Sequence, residues 1–513
     1  MASIRLQAFL PPVILLVATL IWSLSDFDGF FSTADQANRW LLQNFDWAYS
    51  LFSFSAVLLV VYIFFSPLGR VRIGGVDAVP ILSRWNWFAI TLCTTIAIGI
   101  LFWATAEPIL HVQSPPAFTN AAANSPAAFE FAMSTLFLHW TITPYALYTV
   151  CALAFSLSYH NFDGPYSLSG PVSVISGGRV PNWISSAIDA VGLFALTAGV
   201  AAVLGVGVLT IAGGIGNLFG IADTVLLRGA IAALIVATFI LSSVSGIQRG
   251  IKILSDINIR IFVLFALFVL VFGPTLDILE LSLKGVVHYA RTFVSSSLAL
   301  GARGGDPWTL DWSVFYFANW LAWAPITALF LGRISIGYTV REFLTFNLIL
   351  PALFGAVWMG IFGASAISLN AASGGSFAEK IAADGPESAI YALLDALPFA
   401  AVTVAIFVFV AFLSFVTAMD SNTQSIADVC LKKDSSEEER GRAARRIKIF
   451  WGLLIGGIAF TMTATTGIDG VRMLSNLGGI LGLVILIAFG ASLLVMRFRR
   501  LPALIGAVPE TEK

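Results

Sequence analysis

Residues 312–335 read WSVFYFANWLAWAPITALFLGRIS, a run with no charged residue before Arg333. A helix rises 1.5 Å per residue, so about 20 apolar residues cross the roughly 30 Å hydrocarbon core of a bilayer. The stretch therefore reads as a membrane span. Pro325 sits in its middle, where a proline lacks an N–H and frees the carbonyl one turn earlier, so an interruption of the helix is expected there. Irregular backbone at membrane depth is tolerated only where protein or a cavity surrounds it.

Working outward, runs of the same length recur from near residue 8 to residue 496, with no polar insert long enough for a soluble domain. Twelve spans are expected, over 8–25, 46–66, 85–108, 128–157, 183–212, 227–247, 258–281, 311–335, 345–368, 389–424, 446–466 and 470–496. The 513 residues are 58% hydrophobic and 11% charged, against about a quarter charged in soluble domains. Mean hydropathy is +0.89. The fold class is an all-α integral membrane protein. A net charge of −1 gives no basic surface for DNA or RNA. Cys93, Cys151 and Cys430 lack the paired spacing of a metal site or disulfide framework and read as reduced, structural thiols. The first apolar run has Arg5 as its single nearby base and no small-residue cleavage pattern, as expected of a retained helix.

With both termini cytoplasmic, 21 of the 28 Lys and Arg residues fall on inside segments, the excess expected of the cytoplasmic side. This places the protein in the cell inner (plasma) membrane as a multi-pass chain. Residues 284–300 are too polar to span, and Val286, Val287, Tyr289, Phe293 and Val294 recur near helical spacing, which predicts an amphipathic helix along the outer interface. The charged stretch Lys432 to Lys448 reads as a solvated cytoplasmic loop.

Chemistry concentrates in three spans. The third reads TTIAIGILFWATAEP over 94–108, with Gly99 breaking the apolar run and Glu107 placed where a carboxylate is expensive unless partnered or wetted. Interrupted spans in corresponding halves of a chain point to a transporter's midplane site. The fourth carries Trp140, Tyr145 and Tyr148 in FLHWTITPYALY, and the eighth carries Trp320 and Trp323 in ANWLAW. Trp320 lies near mid-membrane, where interfacial anchoring does not explain it. Rings gathered in this way suit a permanent cation that cannot donate hydrogen bonds, at roughly 0.5–2 kcal/mol per well-placed ring.

At these residues the chain resembles the betaine/choline/carnitine transporter family along nearly its whole length. SPLGRVRIGG (66–75), WATAEP (103–108), HWTITPYALY (139–148), LGVGVLTIAGG (204–214), SVSGIQRGIKILSDINI (243–259), FANWLAWAPITALFLGRISIGYTVREF (317–343) and FVTAMDSNT (415–423) are similar to the family's stretches in the same order. The resemblance implies twelve spans with an inverted five-helix repeat, the core of the neurotransmitter:sodium symporters. It divides the chain into two N-terminal helices (1–84), a first repeat (85–281), a connecting amphipathic helix (282–310), a second repeat (311–496) and a short tail (497–513). It implies homotrimers and alternating access. The substrate implied is a small quaternary-ammonium or sulfonium zwitterion of the glycine betaine, carnitine or dimethylsulfoniopropionate type.

The same resemblance implies a cage from Trp140, Tyr145, Tyr148 and Trp320, with Trp323 and Asn319 beside it. It implies an unwound stretch around Ile96 to Ile100, including Ala97 and Gly99, whose backbone amides approach a carboxylate. The chain departs from the pattern at Phe317 and Asn319, where the family has tryptophans, and at Tyr145. Choline carriers of the family tend to have an aspartate at the position of Gly99, so a carboxylate-bearing solute is expected over choline. One sodium site of the family falls on Leu196, Val200 and Ile326, which offer no oxygen ligands. The other falls on Thr417 and Ala418 with the carbonyls of Ser414 and Phe415. The coupling ion is therefore Na⁺ or H⁺, with Glu107, Asp420 and His139 as the proton candidates. No other cofactor or metal is implied, and the short tail after Met496 argues against strong osmotic activation. Alternatives are a transporter of the same architecture for choline, a non-methylated amino acid or a uracil-like base, and a membrane-embedded transferase. The four scattered histidines and the absence of clustered acids disfavour the enzyme.

Overall fold

The structure, a computed structural model, describes residues 3–96, 99–178, 180–245, 248–298, 307–432, 436–465 and 468–504. Among the described residues, eleven helices are long and apolar enough to cross a membrane. A twelfth span is a pair, α3 (Arg84–Ile96) and α4 (Gly99–Gln113), whose axes differ by 56°. The others, in chain order, begin with α1 (Leu6–Ser25) and α2 (Phe27–Phe65). The fourth span is formed by α5 (Pro126–Trp140) with α6 (Ile142–Asn161). After the short α7 (Ser169–Ser176) come α8 (Asn182–Phe219), α9 (Val225–Ser245), α10 (Gln248–Phe272) and α11 (Thr275–Ser297). The second half contains α12 (Pro307–Arg333), α13 (Val340–Ala372), α14 (Ser376–Asp384), α15 (Ser388–Asp395), α16 (Ala400–Cys430), α17 (Glu437–Thr465) and α18 (Ile468–Arg499). Ala97, expected in the unwound stretch of the third span, lies outside the described residues.

Several expected boundaries move, each for a local reason. Helix α2 starts well before residue 46 because its polar first half satisfies itself: Asp26 caps the Gly29 N–H at 3.0 Å and Arg39 pairs with Asp35 at 2.8 Å. The seventh span stops at Phe272 because Pro274 follows, and α11 then begins at Thr275, ahead of the expected 282. The tenth splits at Pro398, beside Phe399 in a left-handed conformation (φ 61°), into α15 and α16. The expected loop 432–448 is helical from Glu437 onward, and Lys448 is buried with Nζ donating to the Ser243 carbonyl at 2.8 Å and to Gln424 Oε1 at 2.7 Å.

Two prolines set the centre of the molecule. Pro144 frees the Trp140 carbonyl, and the fourth span breaks at Thr141 (φ −119°, ψ −110°), so α5 ends on Trp140 itself. Gly355 of α13 packs on that carbonyl so closely that a Cβ there would lie 2.6 Å from the oxygen. Pro325, in contrast, does not break α12. The helix runs through it, and its irregularity is a wide turn over Leu310–Val314. The Leu321 carbonyl freed by Pro325 meets Gly482 of α18, where a Cβ would come within 1.9 Å of the oxygen. In lipid, small residues at such crossings allow the close backbone approach from which packing energy is drawn. Helix α12 is thereby held against α6, α8 and α18, with its ring-bearing face inside the bundle.

Candidate functional site

Because α5 ends at the break, Trp140 projects from a helix terminus toward α12. Trp140 and Trp320 meet edge to face, with ring centroids 5.2 Å apart and planes at 87°. Tyr148, two turns along α6, meets the other side of Trp320 at 6.0 Å and 75°. Together with Trp323, Asn319, Gly99 and Thr95 they line one cavity, closed on its remaining sides by Trp103, Phe315, Val203 and Val206. The cavity measures about 30 Å³, the volume of about one water. The rings themselves fill the space, so any methylated guest must part them.

Of the residues singled out in the sequence, Trp140, Tyr148, Trp320, Trp323, Asn319 and Gly99 are brought together here. Tyr145 is buried but is not among the lining residues; its ring lies toward Gly355 on α13. Gly99 is required by the close approach of Trp140, since a Cβ would lie 2.9 Å from Cη2 of that ring. Sequence reasoning missed Trp103, Phe315, Val203 and Val206. Phe315 stands five residues before Trp320 in the stretch already quoted, and α8 carries no polar marker at its two valines.

Behind the rings lies a clamp that sequence spacing did not show. The Trp140 indole N–H donates to Glu107 Oε2 at 2.8 Å, and the Trp320 N–H donates to the His139 carbonyl at 3.0 Å. Glu107 Oε1 is hydrogen-bonded to His139 Nδ1 at 2.6 Å and lies 3.4 Å from His111 Nε2. His139 Nε2 is paired with Ser313 Oγ at 2.9 Å. The histidines are therefore not all scattered, because His111 and His139 converge on one carboxylate. Glu107 and His111 stand at i, i+4 on α4, a neighbour spacing legible in the sequence. The ligand-type atoms of Glu107, His111 and His139 lie within 4.8 Å of one another, near enough to surround one ion. The 2.6 Å Glu107–His139 separation and the indole on the other oxygen are instead those of a hydrogen-bonded clamp. With their donors tied behind them, Trp140 and Trp320 offer the cavity only apolar, π-rich surface, whereas the Trp323 Nε1 is buried without a partner.

Of the residues proposed for ion coupling, Glu107 and His139 belong to this clamp and the others lie elsewhere. Thr417 Oγ1 bonds carbonyls of its own helix, Leu413 at 3.1 Å and Ser414 at 3.0 Å. Ser414 Oγ accepts from Asn258 Nδ2 at 3.0 Å, and Phe415 is buried. Asp420 Oδ2 accepts from Ser242 of α9 at 2.8 Å. A hydroxyl pair that the sequence did not reveal, Thr94 and Ser421 at 3.2 Å, joins α3 to α16. Leu196, Val200 and Ile326 are fully buried hydrocarbon.

The sequence family described as BCCT, betaine/carnitine/choline family transporter, matches residues 7–500. The chain belongs to this family. It is a multi-pass membrane protein and a transporter, not an enzyme. It is similar to the glycine betaine transporter OpuD of Bacillus subtilis, 29% identical over 93% of this chain and 91% of the relative. It is also similar to the betaine/ectoine transporter LcoP of Corynebacterium glutamicum, 30% identical over 94% of this chain and 75% of the relative. A third relative is glycine betaine transporter 1 of Vibrio parahaemolyticus, 29% identical over 86% of this chain and 83% of the relative.

Proposed function

We propose that this chain imports a small onium zwitterion of the glycine betaine class by alternating access, with the solute's cationic head held between Trp140, Trp320, Tyr148 and Trp323. The observation that carries this reading is the edge-to-face pair Trp140–Trp320, whose N–H groups are both tied away from the cavity. A methylated onium presents no donor or acceptor, so it gains from the ring faces without needing a hydrogen-bond partner. The relatives named for betaine support the same class. The small size of the cavity supports a form that widens toward one side or the other as solute enters or leaves.

Coupling to Na⁺ or H⁺ is part of this proposal. The apolar side chains at 196, 200 and 326 disfavour a sodium site there, because Na⁺ requires oxygen ligands, and leave Thr417 with neighbouring carbonyls or a titrating group as the carrier. The test is uptake of radiolabelled glycine betaine, carnitine and dimethylsulfoniopropionate into liposomes under an imposed sodium or proton gradient, applied separately. Trp320→Leu is expected to abolish uptake while the protein stays folded. Unchanged uptake by that variant would refute the cage.

A further inference from the structure

Beyond the rings of the cavity lies a charge that the onium reading does not use. Arg472, at the start of α18, lays its guanidinium over three aromatic rings: Trp312 at 4.6 Å, Phe315 at 5.4 Å and Trp103 at 5.5 Å from the ring centroids. Its Nε is buried without a hydrogen-bond partner, and the carboxylates of Asp469, Asp311 and Glu107 act on it only from beyond ion-pairing distance. Guanidinium groups taken out of water are ordinarily paired, because an unpaired buried charge is costly. An arginine presents a planar fork of donors matched to a carboxylate. Here the half-buried guanidinium is held in place by aromatic stacking, and the hydrogen-bonding capacity of its Nε is left over.

Its position relative to the cavity gives that capacity a use. Trp103 and Phe315, two of the three rings beneath the guanidinium, are also cavity-lining residues. The same wall thus carries the onium cavity on one side and a cation on the other. A guest larger than about one water must separate the rings, and separation at this wall opens the cavity onto Arg472. Onium would then lie against Trp140 and Trp320, with a negative group toward Trp103 and Arg472.

We propose that Arg472 binds the carboxylate of the solute, so that the protein selects zwitterions carrying an onium and a carboxylate a few bonds apart over plain onium cations. This rests on the onium-transport reading and adds the second half of the recognition. A plain cation gains the rings but meets the guanidinium as a like charge across a dry wall. The zwitterion replaces that repulsion with a charge-assisted pair.

The test is equilibrium binding to the purified full-length protein of three compounds that share the trimethylammonium head: glycine betaine, its methyl ester and choline. Wild-type protein is expected to bind glycine betaine at least about 10-fold more tightly than the ester or choline, the size of one charge-assisted hydrogen bond. Arg472→Gln is expected to lose about 10- to 100-fold in betaine affinity while choline and the ester change by no more than about threefold or bind more tightly, and Arg472→Lys should recover part of the loss. A variant that weakens all three equally, or none, overturns the proposal. If Arg472→Gln fails to fold, the wild-type ranking decides alone: equal affinity for the three compounds overturns it. Binding of none of them by the wild type would instead remove the onium reading itself, an outcome distinct from loss of discrimination between bound compounds.

Discussion

Replacing Gly99 by alanine places one methyl group in the wall of the cavity, 2.9 Å from Cη2 and 3.4 Å from Cζ3 of Trp140. Carbon atoms rest at about 3.5–4.0 Å, so the ring must retreat by roughly 0.6–1.1 Å. Trp140 is not free to do so. Its indole N–H is held by Glu107 at 2.8 Å, and its far side meets Tyr316 at 5.4 Å between centroids. Either the indole–carboxylate bond lengthens beyond useful range, at about 1.5–3 kcal/mol for a bond to a charged group, or the edge-to-face contact with Trp320 at 5.2 Å is lost, at about 0.5–1.5 kcal/mol. Both routes predict a betaine affinity lowered by roughly 3- to 100-fold. Alanine's better helix propensity, about 0.8–1 kcal/mol in a helix interior, offsets part of the energy lost with either contact, so stability should fall by no more than about 2–3 kcal/mol and the protein should stay folded. The assay is glycine betaine binding followed by tryptophan fluorescence, with a melting curve on the same sample. An affinity within about twofold of wild type in a folded protein would show that the ring is not positioned by this contact.

Two other substitutions probe the supports of the site. Glu107→Ala leaves the Trp140 indole and both histidines without their shared acceptor, and a destabilisation of about 3–5 kcal/mol is expected, read as a drop in melting temperature in detergent together with loss of binding. Gly482→Val drives a side chain into the Leu321 carbonyl, where a Cβ alone would be 1.9 Å away, so α18 must leave α12 and folded yield should fall to near zero. Wild-type yield from that variant would mean that the α12–α18 crossing is not as close as drawn.

Much of this protein was legible in one dimension because the bilayer imposes a strict rule on length and polarity. Every backbone group at membrane depth must be satisfied internally, so apolar runs of about 20 residues translate directly into helices. The class, the transmembrane segments and the family followed from that pattern and from ordered motifs, and so did Trp140, Tyr148, Trp320 and Trp323, though not Trp103 or Phe315. Boundaries were less legible. Residues 27–45 and 437–448 are polar, and hydropathy cannot distinguish a polar loop from a polar helix that satisfies itself through caps and i, i+4 pairs. Pro144 and Pro325 look alike in sequence. The fourth span breaks at Thr141 whereas α12 stays intact through Pro325, although each freed carbonyl meets a glycine, Gly355 of α13 and Gly482 of α18.

What the sequence by itself determined is therefore the set of spans and the presence of aromatic residues near mid-membrane. What only the tertiary structure decided is which groups meet: Glu107 with His111, His139 and the Trp140 N–H, Gly99 with the Trp140 ring, and Arg472 with Trp312, Trp103 and Phe315. Spacing along a chain fixes neighbours one helical turn apart. Contacts between Trp103 and Arg472 depend on the crossing of helices far apart in sequence, and no local pattern records where those helices cross.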